Sequence, residues 1–397
     1  MPHPLSSANM FHDLAGELLR LGHQVTIITG EPNLTTDINI SKENDIKIIR
    51  VRSGNLKQIS RIVRAINEIQ LPRLIWKYAH KFFEQNSCDL VIYYSPTIFW
   101  SSLVRKIKAV NKCGSYLVLR DLFPQWALDA GLLRQSNPIY WYFKWNELKL
   151  YRSADIIGVQ SPANLNYFLK SSLEKKYNLE VLFNWTNTHF QYESSSKFRS
   201  QFGLQDKVIF IYGGNFGIAQ DVDNILRLAM SVRSEKKIFF LLIGEGSEYD
   251  RIERTIKQNN LQNIKILTAV SHDEYLKILT ECDVGLITLR KDLKTQNFPG
   301  KMLGYMQLKK PMLASINPGN DFSQIVHQYN AGIACENGDD ESFRKHMLEL
   351  ARDQELRHQM GMNAYKLLHD KFSVTSAAQQ ILKHFSKGYS SYNKIED

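Results

Sequence analysis

The chain has 397 residues, enough for two or three domains and far more than a single small binding module needs. Its 43% apolar and 23% charged residues are ordinary globular usage, which excludes disorder, collagen and repetitive fibres. The formal charge of +10 is unevenly placed, with 23 basic and 15 acidic side chains in residues 1–190 against 27 and 25 in residues 191–397.

Met1-Pro2-His3-Pro4 opens the chain with neither a basic nor an apolar run, so no secretory signal is visible. The longest apolar stretches, such as 90–100, fall well short of the roughly 18 residues a spanning helix needs. Cys88, Cys113, Cys282 and Cys335 lie far apart, which fits buried thiols in a reducing cytoplasm better than a disulfide framework or a zinc site. A cytoplasmic protein is expected.

Short β-branched runs alternate with helical patterns along the whole chain, the pattern of parallel sheets with crossover helices. In the first half, strands are predicted at 24–29, 47–52, 89–94, 115–120, 155–159 and 180–183. Helices are predicted near 7–21, 56–86, 98–111, 138–151 and 162–171. The stretch from Arg52 through the second of these is basic and amphipathic, interrupted at Pro72: Arg52, Lys57, Arg61, Arg64, Arg73, Lys77 and Lys81 interleave with Ile59, Ile62, Val63, Ile66, Ile69, Leu74, Ile75 and Trp76. It reads as a surface for anionic lipid or as a core-packed helix with a solvated basic face. Nucleic acid is the weakest reading, because no recognition-module signature accompanies the charge.

Residues 190–206 are polar and Ser-rich and are expected to be a linker. Beyond it the alternation restarts, with strands predicted at 208–212, 238–243, 264–267, 284–288 and 311–315 and helices near 221–233, 249–259, 273–280, 300–308 and 342–352. The expected organisation is an α/β chain of two Rossmann-like domains, 1–188 and 207–371, with 372–397 crossing back towards the first. A doubly wound sheet normally begins with a central strand. Here the chain enters a helix almost at once, so the first strand of the N-terminal domain is expected to be missing and the natural product to begin about ten or more residues earlier, the length of a strand and its turn.

The sharpest candidate site is the strand 208–212 running into Gly213, Gly214, Asn215, Phe216 and Gly217, with Gln220 just before a helix at Asp221. Glycines let backbone amides approach an oxyanion, and the helix start favours negative charge, although a strand-to-helix turn also takes glycine for steric reasons alone. Gly244, Glu245 and Gly246 end the next strand, and Pro299, Gly300 and Lys301 precede a later helix. Three such turns at strand ends would line one rim. Lys301 at a helix start opposes the macrodipole, yet beside a diphosphate it is well placed. Asp221 and Asp223 have D-x-D spacing, but two acids in a first helical turn explain themselves, and no metal site is expected. In the first half, Arg120 and Asp121 follow a strand, with Trp126 nearby. Asp121 suits the hydroxyls of a sugar and Trp126 its apolar face, against the alternative that Asp121 caps a turn and Trp126 is core.

These residues resemble family-four retaining glycosyltransferases of the GT-B fold, most of all the bacterial L-fucosamine (N-acetyl-L-fucosaminyl) transferases of O-antigen and capsule synthesis. The resemblance runs through Phe11-His12-Asp13-Leu14-Ala15-Gly16-Glu17-Leu18, Gly22-His23-Gln24-Val25-Thr26-Ile27-Ile28-Thr29, Asp121-Leu122-Phe123-Pro124, Phe183-Asn184-Trp185, the Gly213–Gly217 turn, Phe298-Pro299-Gly300-Lys301 through Gly304-Tyr305-Met306, and Asn317-Pro318-Gly319-Asn320-Asp321. It implies domains facing across a cleft and metal-independent transfer, with retention, of a 6-deoxy amino sugar from a UDP donor. The implied acceptor is an undecaprenyl-diphosphate-linked saccharide at the inner face of the plasma membrane, with the basic first domain held against anionic lipid. UDP-sugar is then a substrate, and no cofactor is expected. Asp121 and Lys301 are the implied catalytic residues. The implied donor contacts are Gly213, Gly214, Asn215, Gly217, Gln220, Gly244, Glu245, Gly246, Thr268, Ala269, Pro299, Gly300 and Gly304, and the acceptor contacts Ser6, Ser7, Arg120 and Trp126. Two departures stand out. Asn215 and Gln220 occupy positions where many relatives carry Arg and Lys, and Gln296 and Gly304 replace a Glu pair whose second member binds ribose. Two other classes stay open at the level of sequence: a UDP-N-acetylhexosamine 2-epimerase, which would convert sugar nucleotide without an acceptor, and a non-catalytic membrane-associated scaffold, which would show no UDP-dependent thermal shift.

Overall fold

A computed structural model of the chain describes residues 6–56, 59–95, 97–129, 131–170, 176–188, 197–293 and 298–385. Two compact units divide the chain, Met1–Asn184 with Val374–Asp397 and Trp185–Ser373.

The first unit contains β1 (Thr26–Glu31), β2 (Ile38–Glu43), β3 (Ile46–Arg52), β4 (Leu90–Ser95), β5 (Gly114–Leu119), β6 (Ile156–Val159) and β7 (Leu179–Val181). Its helices are α1 (Ser6–Arg20), α2 (Arg61–Gln85), α3 (Ser101–Asn111), α4 (Gln125–Asp129), α5 (Pro138–Arg152) and α6 (Pro162–Lys170). Local chemistry sets several boundaries. Ser60 accepts a hydrogen bond from the Val63 amide to open α2, and Asn137 does the same for Ile139 with Pro138 in the first turn of α5. The strand β2 was not predicted. It pairs antiparallel with β3 across Asn44 and Asp45, whose φ angles of 46° and 66° make the two-residue turn that suits a right-twisted hairpin.

The strands form two ladders, β1-β3-β2 and the parallel β4-β5-β6-β7. Among the described residues, β1 pairs only with β3 and β4 only with β5. Helical layers nonetheless bridge both. On one side, Ile49 and Val51 of β3 join Leu71 and Ile75 of α2 and Leu103 and Ile107 of α3, with Ile28 of β1 and Val91 of β4 packed against them. The residues of opposite parity, Ile46 and Ile48, pack with Ala15 and Leu19 of α1.

The second unit is one six-stranded parallel sheet in the order β10-β9-β8-β11-β12-β13. Its strands are β8 (Val208–Asn215), β9 (Ile238–Glu245), β10 (Ile264–Thr268), β11 (Val284–Thr288), β12 (Met312–Ile316) and β13 (Gly332–Glu336). The helices are α7 (Lys197–Phe202), α8 (Asp223–Ser231), α9 (Tyr249–Gln258), α10 (His272–Thr280), α11 (Met302–Gln307), α12 (Asp321–Gln328), α13 (Asp340–Arg352) and α14 (Gln354–Leu367). Strands buried on both faces explain the near-continuous apolar runs of β8, β9 and β11. Part of the expected linker is structured instead. Residues 197–202 form α7, tied to this sheet where Glu281 accepts from the Phe198 and Arg199 amides and Arg199 pairs with Asp283 at 2.7 Å. The elements α12 and β13 were also not predicted; Asn320 caps α12 by accepting from the Phe322 amide.

The chain ends its described course in α15 (Val374–Leu382), which belongs to the first unit and packs against α1. Glu180 of β7 is its fastening point: one carboxylate oxygen accepts from Tyr116 Oη at 2.6 Å, the other meets Lys383 Nζ at 2.9 Å and His384 Nε2 at 3.0 Å. Burial raises the Glu180 pKa, but hydrogen bonds from Tyr116, Lys383, His384 and Gln380 outweigh it and leave the group below its ordinary value. A depressed carboxylate contributes stability that is present above its unfolded pKa and lost as pH falls through the folded one. The substitution Glu180→Gln is therefore expected to lower amide-exchange protection across 374–385 about tenfold at neutral pH, a charge-assisted hydrogen bond being worth about 1.5–3 kcal/mol. The difference from wild type should shrink in acid; equal protection at neutral pH would remove Glu180 from this role.

Candidate active site

In the second sheet β8 and β9 stay paired over their whole length, to Asn215 opposite Glu245. Between β8 and β11 the ladder covers only Phe210–Val284 and Ile211–Gly285. The two strands part at the point where the strand order reverses, the place where open parallel sheets bind ligands.

Tyr305 of α11 holds this point. Its hydroxyl donates towards Ile211 O (3.2 Å) and Leu286 O (3.1 Å) and accepts from the Gly213 amide at 3.4 Å. A Cβ on Gly285 would lie 2.3 Å from the Tyr305 ring, so that glycine makes room for it. The wedge fixes the start of α11 and, with it, Lys301, the residue that precedes the helix.

Lys301 Nζ stands 3.5 Å from the centroid of the Tyr212 ring. Among the described residues no carboxylate pairs with it. Burial pushes its pKa well below the ordinary lysine value, since an ammonium removed from water without a counter-charge favours its neutral form. Gly214 faces it: a Cβ built there would lie 3.7 Å from Lys301 Cε and 4.0 Å from Nζ, and the φ of +127° suits glycine. A desolvated cation beside an exposed glycine backbone at a strand end is arranged to receive an anion.

The glycines divide into two kinds. Gly213 is needed because a Cβ would sit 2.3 Å from the Tyr275 ring, and Gly244 because one would meet Gly214 O at 1.8 Å. Gly246 abuts Phe216 O at 2.5 Å. These three are packing glycines of the rim, whereas Gly214 lines its open side. Gly217 lies over the Asn215 and Gln220 side chains, which hydrogen-bond each other at 3.2 Å, a neutral pair on the positions where a cation pair was absent from the sequence.

Of the remaining expected donor residues, Glu245 is exposed and its carbonyl accepts from the Phe216 amide. Thr268 pairs in register with Gly244, and Ala269 follows it, both exposed. Pro299 is half-buried, and Gly300 has open space where a Cβ would be. Gly304 departs from expectation: it turns towards Leu276 and Leu279 of α10, a helix-packing contact. Gln296 lies outside the described residues. Asp221 accepts from Asn337 Nδ2 at 2.7 Å and Asp223 pairs with Arg251 at 2.8 Å, so both acids are committed to neighbouring elements.

In the first unit Asp121 is half-buried, and burial raises its pKa against the opposing pull of Arg120 and Arg64. Trp126 is 40% exposed, its ring 5.9 Å from that of Phe123, so it is a surface residue and not core. The acceptor role expected of Arg120 meets a different geometry. Its guanidinium is buried and donates to Leu119 O, Gly158 O and Phe183 O, tying together the ends of β5, β6 and the segment after β7. Burial lowers its pKa to about 10. Ser6 and Ser7 start α1, and nothing further about their side chains is described.

Tyr212 and Tyr275 are the site residues that sequence reasoning missed. Both read as core aromatics, and only the fold places one beneath Lys301 and the other against Gly213.

Residues 194–367 match the family model described as "Glycosyl transferases group 1". The matched stretch lies within the second unit. Among curated relatives, the chain is 25% identical over 226 residues to the "Probable glycosyltransferase WbjE" of Pseudomonas aeruginosa, covering 56% of each chain. Curated relatives are matched over about half to two thirds of their length, between 47% and 66%. Sucrose-phosphate synthase from Thermosynechococcus elongatus has a similar structure, with a TM-score of 0.69 at 16% identity over 94% of this chain and 91% of that one. So has Alr3699/HepE of Anabaena in complex with UDP and glucose, with a TM-score of 0.67 at 15% identity over 98% and 97%. The fold is GT-B, with two Rossmann-like units.

Proposed function

We propose that the chain is a retaining, metal-independent glycosyltransferase that takes a UDP-sugar at the β8/β11 opening of the second unit. The observation that carries this reading is the Lys301 side chain, which pairs with no carboxylate among the described residues, standing over Tyr212 and facing Gly214 at that opening. Support comes from structural neighbours solved in complex with UDP and with UDP-2-fluoro glucose. In the reaction the bond from the sugar's anomeric carbon to the UDP oxygen breaks, and a bond to an acceptor oxygen forms on the same face. The electron pair leaves with the diphosphate, and the acceptor proton passes to the departing phosphate oxygen. Lys301 and the Gly214 backbone stabilise the charge that develops there without having to reorganise. Asp121, with its raised pKa, orients the acceptor by accepting from its hydroxyl.

The finer reading is an N-acetyl-L-fucosamine-type 6-deoxy amino sugar delivered to a lipid-diphosphate-linked saccharide in O-antigen or capsule synthesis. The putative colanic acid biosynthesis glycosyl transferase WcaI of Escherichia coli, 21% identical over 259 residues, supports the polysaccharide setting. A panel of UDP-sugars with undecaprenyl-diphosphate-linked saccharides, read by mass spectrometry, tests it. Product mass equal to acceptor plus one 6-deoxy-N-acetylhexosamine residue is the expected outcome; conversion of donor without acceptor would replace transferase by isomerase.

The membrane surface enters through α2, where Arg64, Arg73, Lys77 and Lys81 are exposed. Flotation with anionic vesicles is expected to weaken steeply between low and physiological salt, because exposed charges are screened over about 8–10 Å. Absence of binding at low salt would return α2 to a solvated packing helix.

A further inference from the structure

The largest run of exposed aromatic side chains is not on α2. On α5, Trp141 is 60% exposed, Tyr142 43% and Trp145 53%. Trp145 lies four residues after Trp141 and three after Tyr142, so the three share one side of the helix, which continues into Lys149 and Arg152. Ile139, in the first turn of α5, is exposed as well, as are Leu132 and Trp126 earlier in the chain.

The opposite face of α5 is held firmly. Leu150 and Tyr151 are wholly buried, and Glu147, also buried, accepts from Tyr151 Oη at 2.8 Å and meets Lys144 Nζ at 2.5 Å. Lys144 also donates to Tyr167 Oη of α6 at 2.6 Å. The aromatic face therefore cannot turn inwards without breaking a buried charge network.

The outward side chains suit partial removal from water. Trp141 Nε1 already donates to Gln135 O at 2.8 Å, so its ring can enter an apolar layer with its one donor satisfied. The Lys149 ammonium lies 3.1 Å from the Trp145 ring centroid, placing a cation at the rim of the patch. Arg134 and Arg152 are exposed too, while the one acid in residues 131–152, Glu147, is buried. A helical face of Trp and Tyr that continues into Lys149 and Arg152, on a segment whose one acid is buried, matches a bilayer interface, where aromatic rings sit at headgroup level and anionic lipid meets the cations. A second copy of the chain fits less well: a two-fold contact through this face would set Arg134, Lys149 and Arg152 against their own counterparts with no acid to offset them.

We infer that α5 is a membrane-insertion face, with Trp141, Tyr142 and Trp145 entering the headgroup region of an anionic bilayer. This deepens the membrane part of the reading above and is independent of the donor and the reaction. The screened attraction of α2 would bring the chain to the surface, and α5 would hold it there.

The test uses the full chain with phosphatidylcholine vesicles containing phosphatidylglycerol, with and without brominated acyl chains. At high salt, where screening suppresses the charge contribution, wild type is expected to remain partly bound, with its tryptophan emission quenched by the brominated lipid. The double variant Trp141→Ala/Trp145→Ala is expected to lose at least tenfold in vesicle partitioning under the same conditions. UDP titration of the same variant checks that the fold is intact, so loss of flotation with UDP binding retained supports the inference. Failure of wild type to bind UDP would sink the transferase reading and leave this one standing. Equal partitioning of variant and wild type would overturn the insertion face. So would sedimentation showing a wild-type dimer that the variant abolishes, since the patch would then be a self-association surface.

Discussion

Turnover of the Lys301→Ala variant is expected to fall ten- to hundredfold with the fold unchanged. Lys301 is a cation that the second unit places at the opening between β8 and β11, and a hydrogen bond to an ionised group is worth about 1.5–3 kcal/mol. Near-normal turnover with saturating UDP-sugar would remove Lys301 from the site. The same burial predicts a second, opposite effect. A folded-state lysine whose pKa is lowered binds fewer protons than its unfolded counterpart, so its ammonium opposes folding, and stability rises with pH between the lowered value and the ordinary 10.5. Lys301→Met, which fills similar volume without charge, is therefore expected to raise the unfolding midpoint of the unliganded protein while removing activity. UDP should reverse the wild-type penalty by supplying the counter-charge. Titration calorimetry in buffers of different ionisation enthalpy is expected to show proton uptake on UDP binding in wild type and none in Lys301→Met. Identical proton uptake in both would place the titrating group elsewhere.

Gly244→Ala is expected to be the most damaging of the glycine substitutions at this rim. Its methyl group would lie 1.8 Å from Gly214 O and 2.8 Å from the Gly214 carbonyl carbon. That obstacle is backbone in a paired strand, so β8 and β9 would have to separate where Gly214 and Gly244 are in register. Overpacking of this kind costs about 3 kcal/mol, read as loss of soluble protein and a lower urea midpoint for the second unit. Gly300→Ala is the control, because no atom lies within 4 Å of a Cβ there. Its stability should match wild type, and any loss of activity would then report on the ligand. Equal stability of Gly244→Ala and Gly300→Ala would show that the β8–β9 rim is softer than its register implies.

Much of the architecture was readable from pattern alone. Alternating apolar runs and helical periods located most strands to within a few residues, and strand-then-glycine turns at Gly213, Gly244 and the approach to Lys301 marked one rim of one sheet. Buried parallel strands must be apolar on both faces, and their turns must be polar or glycine, so composition along the chain carries that information. The hairpin of β2 and β3 was also written in Asn44-Asp45, a turn signal not used in predicting strands.

Other features depended on which distant residues meet. The role of each glycine was not separable in the sequence: Gly213, Gly244 and Gly246 serve packing and Gly214 faces the cation, a difference set by Tyr275, Phe216 and Lys301, up to 87 positions away in the chain. Arg120 looked like a ligand contact because a charged residue after a strand usually reaches solvent; tertiary structure buries it under three carbonyls instead. The aromatic run of α5 gave no warning of its exposure either, since Trp and Tyr at helical spacing are as common in cores. Periodicity states which residues share a face, while the neighbours that cover or leave that face open are decided only when the chain has folded.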